Sequence, residues 1–161
     1  MEFRIRELQS QDYQALCMLY EEIDGLHRDH LPHIFQAADG PARDQEFILG
    51  LIGNPFVGFF VAELDGELVG FAHVILRESP EFPILVPRRY AVLDEIVIKE
   101  TYHQRGIGQS LLRRAEQWAL EQGATEIELN VYEFNQGAIA FYHKLGYATL
   151  SRKMRKSLPS E

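Results

Sequence analysis

Apolar and polar residues alternate from Phe3 to Leu8, the period of a strand with one buried face. Ser10 and Asp12 offer helix-start chemistry. Behind them Tyr13, Leu16, Cys17, Tyr20 and Ile23 follow the i, i+3, i+4, i+7 spacing of a helix with one buried side. Gly25 is expected to end or bend that helix, and Cys17, between Leu16 and Met18, reads as a packing residue. A second helix is expected over Asp44 to Ile52. Phe59 to Leu64 and Glu67 to Leu76 are β-rich runs joined by Asp65-Gly66, a two-residue link that predicts a hairpin because both turn positions favour positive φ. Pro80, Pro83 and Pro87 mark an irregular loop. Tyr90 to Ile98 reads as the next strand. A helix follows from about Gly106 to Gln122, with Ile107, Leu111, Ala115, Trp118 and Ala119 on one face and Gly123 just past its end. Ile127, Leu129 and Val131 alternate with polar residues and predict a strand. Asn135 then caps a helix with Ala138, Phe141, Tyr142 and Leu145 on one stripe, and Gly146 stops it. Tyr147 to Met154 reads as a last strand.

An early hairpin followed by βαβ units indicates an α/β protein with a mixed sheet. The chain has 161 residues, so one domain is expected over 1–156 with a short tail over 157–161. Hydrophobic residues make up 46% and charged residues 25%, which excludes global disorder. The net charge of −8 argues against a nucleic-acid partner, which needs basic surface to replace counterions, and is compatible with a cationic substrate. A single cysteine excludes a disulfide scaffold and points to a reducing, cytoplasmic setting. The start Met-Glu-Phe-Arg-Ile-Arg-Glu carries charges where a signal peptide needs an apolar core, so no targeting segment is expected. No membrane span is expected either: the longest uncharged run, Phe47 to Ala62, is short and broken by Asn54-Pro55.

The informative stretch runs from Leu93 to Tyr147. After a strand, His103-Gln104-Arg105-Gly106-Ile107-Gly108 opens a helix. Two glycines at a helix N-terminus let backbone approach a ligand, and the unpaired N–H groups and helix dipole there favour phosphate. Arg105 adds positive charge. No phosphate-loop motif with Gly-Lys-Ser/Thr is present, and a dinucleotide fingerprint fails at Leu111, where its third glycine would stand, although Glu126 lies at a suitable distance.

This stretch resembles the acetyl-CoA-binding core of the GNAT N-acetyltransferases. That family carries Arg or Gln, two variable positions and then Gly-x-Gly/Ala. Further on come Asn, two variable positions, Ala, three variable positions, Tyr, three variable positions and Gly-Phe/Tyr. Here the first part is His103-Gln104-Arg105-Gly106-Ile107-Gly108, with His103 where Arg or Gln is usual. The second is Asn135 through Ala138 and Tyr142 to Gly146-Tyr147. The resemblance implies a mixed, mostly antiparallel sheet of six to seven strands flanked by about four helices, and a direct acetyl transfer from acetyl-CoA to a primary amine. It implies that the backbone of Ile96, Val97 and Ile98 pairs with the pantetheine arm. It also implies that the amides of Gln104, Arg105, Gly106, Ile107, Gly108 and Gln109 hold the pyrophosphate, that Asn135 touches the cofactor, and that Tyr142 protonates the leaving thiolate. Such chemistry needs a base for the amine and a hydrogen-bond donor for the developing oxyanion, but no covalent enzyme intermediate. The family also admits a homodimer.

Asp94-Glu95 is an acidic pair on a strand otherwise rich in apolar residues. Carboxylates are costly to bury, so these should be exposed, paired or functional: one of them serves as base or acceptor anchor, or the pair makes a salt bridge to a neighbouring helix. Strand alternation would send the two to opposite faces. Polyamine-acetylating members of the family carry a similar pair. Asn130 stands where ribosomal-protein N-terminal acetyltransferases carry a glutamate base, and an amide cannot do that work. His27, His30 and His33 recur every three residues beside Asp29, but Pro32 interrupts them and no second cluster supports them, so no metal is expected. The resemblance implies that this region lines the acceptor pocket, which makes His27, His30 and Phe35 rim candidates; otherwise they are solvated helix residues. Arg113-Arg114 and Arg152-Lys153 with Arg155-Lys156 read as solvated faces that could also meet a 3′-phosphate. The reading is an acetyl-CoA-dependent N-acetyltransferase acting on a small cationic amine. A non-catalytic acyl-CoA sensor and a lysine or N-terminal protein acetyltransferase stand as alternatives.

Overall fold

A computed structural model describes residues 2–160, which group into two compact units, one through Asn130 and one from Val131. The first unit is built on one sheet in the order β1-β2-β3-β4-β5, with β1 Arg4–Glu7, β2 Val57–Leu64, β3 Glu67–Glu78, β4 Arg89–Ile98 and β5 Glu126–Leu129. Strands β1 to β4 pair antiparallel and β4 pairs parallel to β5. Helices α1 (Tyr13–His30) and α2 (Gln45–Leu51) precede the hairpin, and α3 (Ile107–Glu121) crosses from β4 to β5. A parallel neighbour requires such a crossover.

The hairpin forms as the sequence predicts. Leu64 faces Glu67, and Asp65 and Gly66 hold φ of 50° and 80°. Its strands are buried nearly throughout: Phe60, Val61, Val69, Phe71 and Val74 are all at most 1% exposed. Burying such side chains contributes roughly 1.5–3 kcal/mol each. One core cluster packs Leu16, Leu19 and Tyr20 of α1 against Phe59, Val61 and Phe71. The opposite face meets the expected stripe of α3, Ile107, Leu111, Ala115, Trp118 and Ala119, to which Leu112 is added. A Cβ on Gly58 would lie 2.8 Å from the Trp118 ring, so the small residue is what lets α3 settle on β2.

Two expectations are corrected. Helix α1 does not stop at Gly25. His27 sits one turn beyond Ile23 and two beyond Tyr20 on the same face, and its half-buried ring stacks on Phe35 at 5.2 Å. The helix ends at His30 because Leu31 precedes Pro32, a position biased away from helical backbone. The second correction is the sheet, which has five strands rather than six to seven: Tyr147 to Met154 forms no strand. Strand propensity expresses fit to neighbouring strands, and no strand ladder among the described residues includes this segment.

The second unit holds α4 (Gln136–Lys144). Its expected stripe of Ala138, Phe141, Tyr142 and Leu145 is the half-buried side of the helix, with Ile139 beside it. No helix among the described residues is long and apolar enough to cross a membrane.

Candidate active site

Strand β4 and β5 part company halfway along β4. Their ladder ends with Leu93 opposite Leu129, whereas the ladder to β3 runs on to Ile98 opposite Gly70. Ile96, Val97 and Ile98 are therefore paired along one edge and lack a ladder partner along the other among the described residues. Gly70 lets β3 sit tightly here: a Cβ on it would lie 2.8 Å from the Val97 carbonyl oxygen.

Directly after this free edge the chain turns into α3. Glu100–Tyr102 makes a short 3-10 turn, and Gln104 and Gly106 then take left-handed backbone, with φ of 64° and 83°. Gly106 is the N-cap of α3 and has no side chain to accept from the first-turn amides. A Cβ there would meet open space, so it is the positive φ that calls for glycine. Ile107 anchors the helix start, its side chain 2% exposed. Gln104, Arg105, Gly106, Ile107, Gly108 and Gln109 thus form one bend and first turn, with backbone donors and a helix dipole suited to an anion. His103, which departs from the family pattern, places its ring Nε2 2.7 Å from the Ile98 carbonyl oxygen and ties the bend to the end of β4. Arg105 lies 5.2 Å over the Tyr102 ring.

The pairing of β3 with β4 slips at Asp94: His73 faces Glu95 but Val74 faces Leu93. The extra residue is a β-bulge, and it cancels the alternation that would separate the two acids. Both carboxylates reach groups on the α1 side of the sheet. Asp94 Oδ2 lies 3.3 Å from His73 Nδ1, and Glu95 Oε1 lies 3.5 Å from Arg43 Nη2. The His73 ring is buried and stacks on Phe59 of the α1 cluster at 5.0 Å.

Arg43 comes from the segment between α1 and α2. Its guanidinium also pairs with Asp24 of α1 and sits 4.0 Å over the Tyr20 ring. Its backbone is pinned from both sides: its carbonyl accepts a 2.8 Å bond from the Tyr13 hydroxyl, and the next residue, Asp44, caps α2 by accepting from Phe47 N at 2.7 Å. A small cavity of about 70 Å³ borders Tyr20, Asp24 and Arg43.

These surroundings tune the two acids in opposite directions. Burial pushes the Glu95 carboxyl up to about 7 against the pull of Arg43, and the charges of Asp24 and Asp94 add to the rise. The hydrogen bond from His73 holds Asp94 below its usual range. Burial lowers the His27 imidazole and favours its neutral form. His30 turns its Nδ1 to the Leu26 carbonyl oxygen at 2.9 Å, and Phe35 lies under His27. Among the described residues no three His, Cys, Asp or Glu side chains converge as metal ligands.

In the second unit the Asn135 side chain accepts from Ala138 N at 3.1 Å, which caps α4. The cap uses its oxygen and leaves its amide donors for other partners. Tyr142 packs between Phe141 and Tyr147, at 5.4 and 5.7 Å between ring centroids. Gly146, at φ 97°, lets Tyr147 N return to the Tyr142 carbonyl oxygen at 3.0 Å, so the helix ends immediately past Tyr142. Burial pushes the Tyr142 hydroxyl up to about 12.

The structure thus gathers Asp94, Glu95, His27 and Phe35 near residues that pattern reading missed: Asp24, Tyr20, Arg43 and His73. Asp24 and Arg43 look like surface charges in sequence, and His73 like one polar residue in a buried strand. The one signal was Arg43 beside the cap residue Asp44. Of the basic pairs, Arg114 proves to be a packing residue, its guanidinium 4.2 Å over the Phe60 ring.

The family model for the acetyltransferase (GNAT) family matches residues 6–147. Among curated proteins, an uncharacterized N-acetyltransferase of Methanocaldococcus jannaschii is 36% identical over 56% of this chain and 38% of its own length. An N-alpha-acetyltransferase of Sulfurisphaera tokodaii is 37% identical over 55% of each chain. The chain therefore spans about half or less of the length of these relatives. A mutant of a Bacillus halodurans protein shares the fold at a TM-score of 0.92 and 24% identity, covering 97% of this chain and 99% of that one. An aminoglycoside N-acetyltransferase in complex with CoA superposes at a TM-score of 0.74 and 16% identity, over 99% of this chain and 96% of that one. With a match running from β1 to the end of α4, this chain belongs to the GNAT acetyltransferase family.

Proposed function

We propose that the chain is an acetyl-CoA-dependent N-acetyltransferase acting on a small cationic primary amine. The observation that carries this reading is the release of β4 from β5 after Leu93, immediately before a helix start bent by Gln104 and Gly106. A free strand edge suits an amide-bearing arm, and the bend suits its phosphates. Acetyl-CoA supplies an acyl thioester as co-substrate. Ile96, Val97 and Ile98 offer backbone groups to its pantetheine arm, and Gln104 through Gln109 offer amides to its pyrophosphate.

Glu95 serves as the base. With its carboxyl near 7 it is about half ionised at neutral pH, and its ionised form is a stronger base than an ordinary glutamate. It takes the proton of the attacking amine, directly or through water. As the C–N bond forms and the C–S bond breaks, Tyr142 gives its proton to the departing sulfur. A hydroxyl near 12 is fully protonated at neutral pH and has that proton to give. Asp94, kept charged by His73, and Asp24 attract the acceptor ammonium, with His27 and Phe35 on the rim. The fold shared with an aminoglycoside acetyltransferase, and relatives named N-acetyltransferases, support the class of reaction.

The test is free-CoA release from acetyl-CoA across polyamines, aminoglycosides, amino acids and peptides, with Tyr142→Phe run alongside. Release that depends on a small amine and falls at least about tenfold in the variant is expected. Tight acetyl-CoA binding without release for any amine would favour a sensor. Release with peptides alone would favour a protein acetyltransferase, and absence of acetyl-CoA binding would remove the assignment.

A further inference from the structure

His73 lies in an apolar layer. It faces Phe59 across the β2–β3 ladder and stacks on that ring at 5.0 Å. Phe59 in turn stacks at 5.3 Å on Phe71, two residues before His73 on the same face of β3. A phenylalanine or leucine would fill such a place without burying a polar atom, so packing does not call for histidine. The two ring nitrogens have unequal surroundings. Nδ1 lies 3.3 Å from Asp94 Oδ2, whereas Nε2 is buried with no hydrogen-bond partner among the described residues.

That inequality selects one form of the ring. An imidazolium would bury a charged N–H at Nε2 with nothing to accept it. The neutral form protonated at Nε2 has the same orphaned donor, and it turns a bare Nδ1 lone pair toward the Asp94 oxygen. The neutral form protonated at Nδ1 donates to Asp94 and leaves only an unused acceptor at Nε2. We propose that His73 is a positioning residue, held as the neutral Nδ1–H tautomer, which fixes the Asp94 carboxylate at the bulge without neutralising its charge. This inference rests on the reading of Asp94 as an acceptor anchor. Arg43 brings one positive charge to Asp24 and Glu95, while among the described residues Asp94 pairs with no lysine or arginine. The Asp94 side chain is 53% exposed, so a ligand can reach it. A carboxylate oriented by a neutral donor keeps its whole charge for an ammonium. His73 therefore governs how tightly the cationic amine is held rather than how fast the C–N bond forms.

The ring is read by long-range 1H–15N correlation on the whole chain labelled with 15N-histidine, at neutral pH, with His73 assigned by its absence in His73→Asn. A protonated Nδ1 and a bare Nε2 are expected. A protonated Nε2, alone or together with Nδ1, overturns the proposal. This arm decides whether or not any amine is acetylated, so a failure of the acetyltransferase reading shows separately, in the CoA-release panel. The role is read by steady-state kinetics with the best amine of that panel. His73→Asn keeps an N–H near the place of Nδ1, His73→Gln offers one only near the place of Nε2, and His73→Leu offers none. KM for the amine is expected to rise about tenfold or more in the Gln and Leu variants with kcat within about threefold, and the Asn variant to recover most of the loss. Thermal unfolding identifies the variants folded at the assay temperature, and only those are compared. A KM raised equally in all three variants, or a loss confined to kcat, overturns the positioning role.

Discussion

Glu95 on β4 and Tyr142 on α4 are both pushed upward by burial, yet they are tuned by different means. Around Glu95 burial competes with charge: Arg43 pulls its carboxyl down while Asp24 and Asp94 push it up, and the balance lies near 7. Around Tyr142 no charge takes part, and burial among aromatic neighbours carries the hydroxyl to about 12. The proposed mechanism asks for a base that titrates near neutral pH and an acid that stays protonated there, and these two values are compatible with those roles. The comparison also shows which end is easier to disturb. A site balanced by three neighbouring charges responds to any one of them, whereas a site set by burial responds only to a change of packing.

The comparison can be broken most severely at Glu95, the proposed base. Glu95→Gln is expected to lower kcat/KM by about 100-fold or more while acetyl-CoA affinity, measured by calorimetry, stays the same. The proposed acid comes next: Tyr142→Phe should lower kcat at least about tenfold and leave the acid limb of the pH profile in place. Gly106→Val should weaken acetyl-CoA binding and cost roughly 1–2 kcal/mol in denaturant unfolding, because a β-branched residue is forced to a φ of 83° in otherwise open space. Arg43→Met sharpens the comparison with the smallest effect. Removing the cation that holds Glu95 down lets its carboxyl rise, so activity at neutral pH falls a few-fold and returns as the pH is raised. A pH titration of kcat/KM reads this directly. Tyr142→Phe combined with Arg43→Met should then show the two effects adding, since one acts through charge and the other through proton donation.

The two regions also differed in how far their sequences disclosed them. The Asp65-Gly66 turn, the stripe of α3, the Asn135 cap and the Gly146 stop were legible because each is decided by neighbours within a turn or two. The family pattern marked Gly106 and Tyr142 for the same reason. Three features escaped, and each depends on residues far apart in the chain. Helix α1 passes Gly25 while His27 stacks on Phe35 beyond it, a contact that a local helix-breaker rule does not see. The acids on β4 share a side because the register with β3 slips at Asp94, and register is a property of two strands. Arg43, which completes the charge balance, lies in an irregular segment 52 positions before Glu95 and carries no motif of its own. The alternation of Tyr147 to Met154 predicts a strand, and the segment joins no ladder among the described residues because pairing needs a partner that the pattern cannot specify.

The pH dependence of kcat/KM, measured with the best amine of the panel on the wild type and on Glu95→Gln, tests the central claim most directly. If Glu95 is the base, the wild-type rate falls about tenfold per pH unit below a pKa of about 7, and the variant, already slow, loses that limb. The same limb in both proteins, with the variant near wild-type activity, would show that the proton leaves the amine by another route.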